Sequence, residues 1–257
     1  MRPVRRGANP TGANFNSYED AKPFLVARIG SGRFQGIHVA CYCSYCERPI
    51  STNLAVEHVQ PKGLKVGLIM PYALLAGTWE NFLLACVNCN STKGDRDVVL
   101  ANVLLPDRDN TFVAFEYAQD GTVSSVKNAP FSASAARTLS MVGLDRAAAQ
   151  VLDENKQCIA LERVSQRMNT WLLAQSTKDD LDAEPNNELL RRSVVKLALS
   201  QGFFSIWMKV FEADQDIRNR LIDAFSGTRD SECFFLGTTA TRCPAPNPDA
   251  LANGSKA

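Results

Sequence analysis

Apolar positions along the chain fall into two regimes. In the first half they come as short dense runs. Leu54-Ala55-Val56 predicts a strand that delivers Glu57 and His58 at its end, and Phe82-Leu83-Leu84-Ala85 predicts the strand that returns. Pro61 and Gly63 break the chain between them, and residues 64–78 read as an insertion with a short helix. A helix is expected over Asn88 to Lys93, with Gly94 near its end. Thr111 to Tyr117 alternates like a strand, and Asp120-Gly121 is the turn to Thr122-Val123. From Ser132 the spacing changes to threes and fours. This predicts helices over 132–142, 145–175 and 187–225, with Glu184-Pro185-Asn186-Asn187 separating the last two. Leu190, Val194, Leu197, Phe204, Met208 and Phe211 form the expected buried stripe of the third.

The ends read differently. Residues 1–16, rich in Gly, Pro, Asn and Arg, suggest a flexible arm. Residues 17–35 suggest a short helix with Ser17 as N-cap, Glu19 and Asp20 in its first turn, and Phe24, Leu25, Ala27 and Ile29 as its buried face. After Gly227 the composition shifts to Thr, Pro, Gly, Ala and Asn, as in a loose tail. There is no internal repeat.

A length of 257 residues with 45% hydrophobic content suits a soluble globular protein of one or two domains. No run of 18 apolar residues occurs, so no membrane span is expected, and the basic start lacks the apolar stretch of a secretory signal. Eight cysteines without a leader point to a reducing cytoplasm and to metal binding rather than disulfides. The 28 Lys and Arg nearly balance the 27 Asp and Glu, which is not the footprint of a stand-alone nucleic-acid binder. Residues 1–40 are basic, with six positive side chains against two negative, whereas 41–110 carries six against seven.

Four cysteines have metal-ligand spacing: Cys43-Ser44-Tyr45-Cys46 and Cys86-Val87-Asn88-Cys89. Two such pairs can close a tetrahedral structural Zn²⁺ site, worth on the order of 10 kcal/mol to folding. An iron–sulfur cluster is the other chemistry four thiolates serve. Four thiolates leave no open position, so that zinc would not be catalytic. Cys41 is close enough to Cys43 to be a substitute ligand, while Cys158, Cys233 and Cys243 read as ordinary thiols. Between the pairs lie Glu57-His58 and Trp79-Glu80-Asn81, and Asn90 follows directly. The chain has only two histidines. His38 stands outside the pattern, whereas His58 sits where a neutral imidazole could deprotonate a water near pH 7. Tyr45 and Trp79 read as packing residues.

From Cys43 to Lys93 this order of residues resembles the HNH nucleases, the ββα-metal endonucleases, in their zinc-stapled form. The phrases Glu57-His58-Val59-Gln60-Pro61-Lys62 and Trp79-Glu80-Asn81-Phe82-Leu83-Leu84-Ala85-Cys86 are similar to HNH subunits that accompany ATPases in Septu and retron-linked antiphage systems. Glu57 stands where the family often has Asp, and Asn90 where it often has His. The resemblance implies an α+β protein, with a small zinc-stapled ββα-metal core and a mostly helical C-terminal half. It implies a phosphodiesterase in which His58 is the general base and Asn81 holds it in place. Glu57 and Asn90 would bind one catalytic Mg²⁺ or Mn²⁺, and Lys62 and Lys93 would meet phosphates.

The expected divisions are an arm and short helix at 1–40, the nuclease core with following strands at 41–130, a helical region at 131–226 and a tail at 227–257. Nucleic acid is the expected substrate, DNA ahead of RNA, with an ATPase subunit as protein partner. Arg2, Arg5 and Arg6 are candidates to meet nucleic acid or an acidic partner. The competing reading is a non-catalytic zinc-ribbon module acting through protein contacts; Glu57, His58 and Asn90 would be superfluous in it.

Overall fold

The computed structural model describes residues 1–52, 54–146 and 163–257, with the backbone of 151–152 and 158–159. The architecture is α+β, with small two-stranded sheets first and helices dominating the second half. In chain order the elements are α1 (Lys22–Leu25), β1 (Gly32–Phe34), β2 (Ile37–Val39), β3 (Ala55–His58), β4 (Phe82–Ala85) and α2 (Val87–Lys93). They continue with α3 (Thr111–Ala114), β5 (Phe115–Tyr117), β6 (Val123–Ser125) and α4 (Ser132–Val142). The last are β7 (Val151–Leu152), β8 (Cys158–Ile159), α5 (Arg163–Ala183), α6 (Glu188–Gln201), α7 (Phe204–Val210) and α8 (Gln215–Ala224).

The ββα unit forms as its sequence dictates. β3 and β4 pair antiparallel, with Glu57 opposite Leu83 and His58 opposite Phe82. Every residue of β4 is buried. The chain then turns into α2, where Cys86 is the N-cap and accepts a bond from its own first turn, 3.4 Å from Cys89 N. Gly94, at φ +53°, ends that helix, a backbone angle that favours glycine.

Several boundaries differ from the sequence pattern. The 17–35 segment does start at Ser17, whose hydroxyl accepts from Glu19 N. It is helical only to Gly30, through a 3₁₀ turn, α1 and a π turn, because β1 begins at Gly32. Leu25 and Ile29 are buried, but Phe24 is exposed. The alternating 111–117 stretch opens as α3, since Asn110 caps it through Phe112 N, and only 115–117 is strand. A helix over 145–175 does not form as one element: the β7–β8 pairing precedes α5, which runs on to Ala183. The rest of 147–162, including the Cys158 side chain, lies outside the described residues. The 187–225 segment divides into α6, α7 and α8. The first break falls at Gly202 and Phe203, both at positive φ, where a Cβ on Gly202 would lie 2.6 Å from Glu47 O.

Neither end is loose. Arg2 is buried, its guanidinium donating to Ile29 O, Ser226 O and Thr228 Oγ1. Val4 N bonds Pro106 O and Arg5 N bonds Gly227 O. The far end returns to the same place: Asn110 N donates to Ala257 O, and Lys256 N to Asp109 Oδ1. Phe234, Leu251 and Ala257 are buried. Polar composition suggested mobile ends, but buried arginines and the carboxylates of 107–109 supply specific partners for them. One hydrophobic core cluster accordingly runs from Met1 to Ala257.

Candidate active site

The site is assembled on the ββα unit. Cys43 and Cys46 lie in the turn before β3, held by Glu47 N to Cys43 O, while Cys86 and Cys89 lie at the β4–α2 junction. All four are buried, and their sulfurs lie within 4.8 Å of one another. Cys46 Sγ and Cys86 Sγ are 3.7 Å apart, close to the edge of about 3.8 Å expected for a tetrahedron with Zn–S near 2.3 Å. The donor set fits a structural zinc. Cys41 is not part of this cluster, and Cys233 and Cys243 lie elsewhere. Arg163, at the start of α5, reaches back to Cys89 Sγ at 3.3 Å and to the carbonyls of Val142 and Gly143. It ties the cysteine knuckle to the helical half.

A cleft of about 400 Å³ opens beside this cluster, lined by Glu57, His58, Lys62, Asn90 and Lys93 among others. Strand β3 supplies the first two and helix α2 the last two, three residues apart on adjacent turns. His58 is mostly buried, its ring edge-on to Tyr18 and Phe82 at 5.0 and 5.2 Å. Nε2 lies 3.0 Å from Ala76 O. A carbonyl can only accept, so Nε2 carries the proton and Nδ1 keeps its lone pair. Burial lowers the His58 pKa, and the positive charges of Lys62 and Lys93 act in the same direction; the bond to Ala76 opposes them. The imidazole is therefore held neutral.

Asn81 does not line the cleft. Its amide clasps the chain just beyond His58, accepting from Gln60 N at 2.8 Å and donating to Gln60 O at 3.0 Å. It also reaches Leu75 O at 3.4 Å, next to the carbonyl that orients His58. Lys62, half-buried, places its ammonium 3.8 Å from the centre of the Tyr18 ring.

Lys93 is buried and paired, not solvated. It is 2% exposed, and its Nζ lies 2.9 Å from Glu57 Oε1, which is equally buried. Apart from this ammonium, Oε1 is a buried acceptor with no donor among the described residues. Burial pushes the Glu57 carboxyl up to about 7, against the pull of Lys93. A buried, under-satisfied carboxylate oxygen and an amide carbonyl in one cleft fit a hard divalent cation, which takes few protein ligands and keeps waters. Glu57 and Asn90 are the residues that would hold it.

Other contributors carry no sequence signal of their own. The Ala76 carbonyl is a backbone group of the insertion. Arg6 and Arg108 both donate to Glu80 O, beside Asn81, and Arg6 also bonds Phe82 O. Arg2 and Arg6 are buried, so neither is available to nucleic acid. His38 bonds Ser31 Oγ at 2.6 Å, away from the cleft. Tyr45 and Trp79 are packed in the core.

Among the described residues, no helix is long and apolar enough to cross a membrane. No curated protein and no solved structure matches the chain. A family does match the segment that holds both the cysteine cluster and the cleft: residues 43–96 fit the model of the HNH endonuclease.

Proposed function

We propose that this protein is a metal-dependent endonuclease whose cleft hydrolyses phosphodiester bonds. One observation carries the reading: His58 presents an unprotonated Nδ1, fixed by the Nε2 bond to Ala76 O, in the same cleft as Glu57 and Asn90. His58 takes the proton of the attacking water at Nδ1. Asn81 is a positioning residue, holding the backbone on both sides of that imidazole. Glu57 and Asn90 would hold one Mg²⁺ or Mn²⁺, which would supply electrostatic stabilisation of the negative charge that develops on the phosphodiester. Lys62 supplies a phosphate contact at the cleft mouth. Cys43, Cys46, Cys86 and Cys89 hold a zinc that fixes β3, β4 and α2 together and takes no part in chemistry.

The substrate is nucleic acid, DNA ahead of RNA. The similarity of the Glu57–Lys62 and Trp79–Cys86 phrases to Septu and retron-linked subunits supports a cytoplasmic role in antiphage defence beside an ATPase subunit. The test is plasmid nicking in Mg²⁺ or Mn²⁺ by zinc-loaded protein, with and without its genomic neighbours. Wild type should nick, and His58→Ala, with zinc retained, should be slower by at least about 10²-fold. Equal rates would overturn the assignment and favour the non-catalytic zinc module.

A further inference from the structure

Lys93 and Glu57 form a buried ion pair inside the cleft, 2.9 Å apart, with 2% and 1% of their side chains exposed. We propose that Lys93 is a stand-in cation for Glu57 that a divalent metal displaces, and that the released ammonium then becomes a phosphate contact. The inference rests on Glu57 being a metal ligand, as argued above.

Three observations carry it. First, Lys93 is the partner of a carboxylate oxygen that has no other donor among the described residues, so the pairing rests on this one 2.9 Å charge contact. A second, doubly charged cation on the same carboxylate removes that attraction and adds repulsion. Second, a direct bond from a hard cation to the carboxylate is shorter, about 2.0–2.1 Å for Mg²⁺ against 2.9 Å here. The metal therefore wins the closer position. Third, Lys93 has somewhere to go. It lies at the last turn of α2, on a flexible four-carbon stem, and lines the same cleft as Lys62 and His58. Nζ also lies 3.5 Å from Gly94 O, a long contact that the ammonium can leave. Such an arrangement keeps Glu57 paired in the absence of metal and links metal binding to the appearance of a positive charge where the phosphate must sit.

The test is amine labelling of the zinc-loaded full chain, read residue by residue by mass spectrometry. Without divalent cation, Lys93 should react at least about tenfold more slowly than exposed Lys209, as expected of a buried paired amine. Saturating Mg²⁺, with saturation fixed by calorimetry, should raise the Lys93 rate severalfold and leave Lys209 unchanged. Duplex DNA added to His58→Ala in Mg²⁺ should slow Lys93 again. In Glu57→Gln, Lys93 should label fast with or without Mg²⁺. The wild-type arm needs no substitution, so misfolding of a variant cannot mask the result. Slow Lys93 labelling at saturating Mg²⁺ overturns the inference and leaves the metal site standing. Unchanged Mg²⁺ binding in Glu57→Gln removes Glu57 from the metal site and the inference with it, while nicking that depends on His58 would still support the nuclease reading. Fast labelling in the presence of bound DNA overturns the phosphate contact.

Discussion

Arg6 and Asp107 form a 2.8 Å ion pair with neither side chain more than 1% exposed, directly behind the turn that carries Asn81. Asp107 is shared with Arg108, and both guanidiniums also hold Glu80 O. The N-terminal segment, the 107–109 loop and the turn that carries Asn81 thus meet at one buried carboxylate. Trp79 Nε1 to Gly7 O and Phe15 N to Gly77 O extend the same brace.

Removing one partner of such a pair leaves the other buried and uncompensated. Arg6→Ala should lower unfolding free energy by about 3–5 kcal/mol, read by denaturant titration. Arg5→Ala removes a pair with Asp249 on a side chain 34% exposed and should cost less than about 1 kcal/mol. Equal effects would show that the burial of Arg6 is not what matters.

The ββα unit was legible because its chemistry is local. Cysteine spacing, two apolar runs and a glycine stop place Cys43, His58, Cys86 and Asn90 without knowledge of the rest. The brace was not legible, since Arg2, Arg6 and Asp107 look like solvated charges until the chain brings residues about a hundred positions apart into contact. The burial of Lys93 was hidden for the same reason: nothing in Asn90-Ser91-Thr92-Lys93 says that its ammonium turns inward to Glu57. The division of 187–225 into three helices turned on Phe203, whose positive φ has no signature in a residue of that type.

Zinc should be stoichiometric, about one per chain, with the four thiolates as its only protein ligands. Cys86→Ser should lose the metal and cooperative unfolding, because on the order of 10 kcal/mol of folding energy is tied to such a site. Arg163→Ala, which removes a donor 3.3 Å from Cys89 Sγ, should retain zinc but release it faster to a chelator. A folded, zinc-free protein by metal analysis would refute the site.

Activity should persist to lower pH than an ordinary histidine allows. Burial lowers the His58 pKa, so the neutral base is present above a pH that lies under the usual 6.5. The stability effect has the same sign: His58 favours folding when neutral, and that contribution is lost as pH falls through its lowered folded pKa. Glu57 acts oppositely. Its pKa of about 7 exceeds the value of 4.5 it has when unperturbed, so in metal-free protein its contribution declines as pH rises from about 4.5 to 7. Glu57→Gln should remove that decline, measured by melting temperature against pH in chelator with zinc content checked. An acid limb of the rate profile at or above 6.5 in saturating Mg²⁺ would contradict the His58 assignment.

Nucleic-acid binding by the chain alone should be weak. The net charge is +1, and the basic N-terminal segment is not an exposed arm: Arg2 and Arg6 are buried and Arg5 is paired with Asp249. What remains at the cleft is Lys62 and, once released, Lys93. Two phosphate contacts predict a slope of log K against log salt near −2, and Lys62→Ala should flatten it by about 1. Kd for a short duplex should be no tighter than about 1 μM at physiological salt, in the range of non-specific association. An ATPase partner that adds a basic surface should raise both the affinity and the cleavage rate, with a steeper slope that counts the contacts it brings. Titrations of labelled duplex at several salt concentrations, with and without the partner, decide it. Tight, steeply salt-dependent binding by the isolated chain would place the phosphate-binding surface on this protein and remove the need for a partner, leaving the His58 assignment untouched.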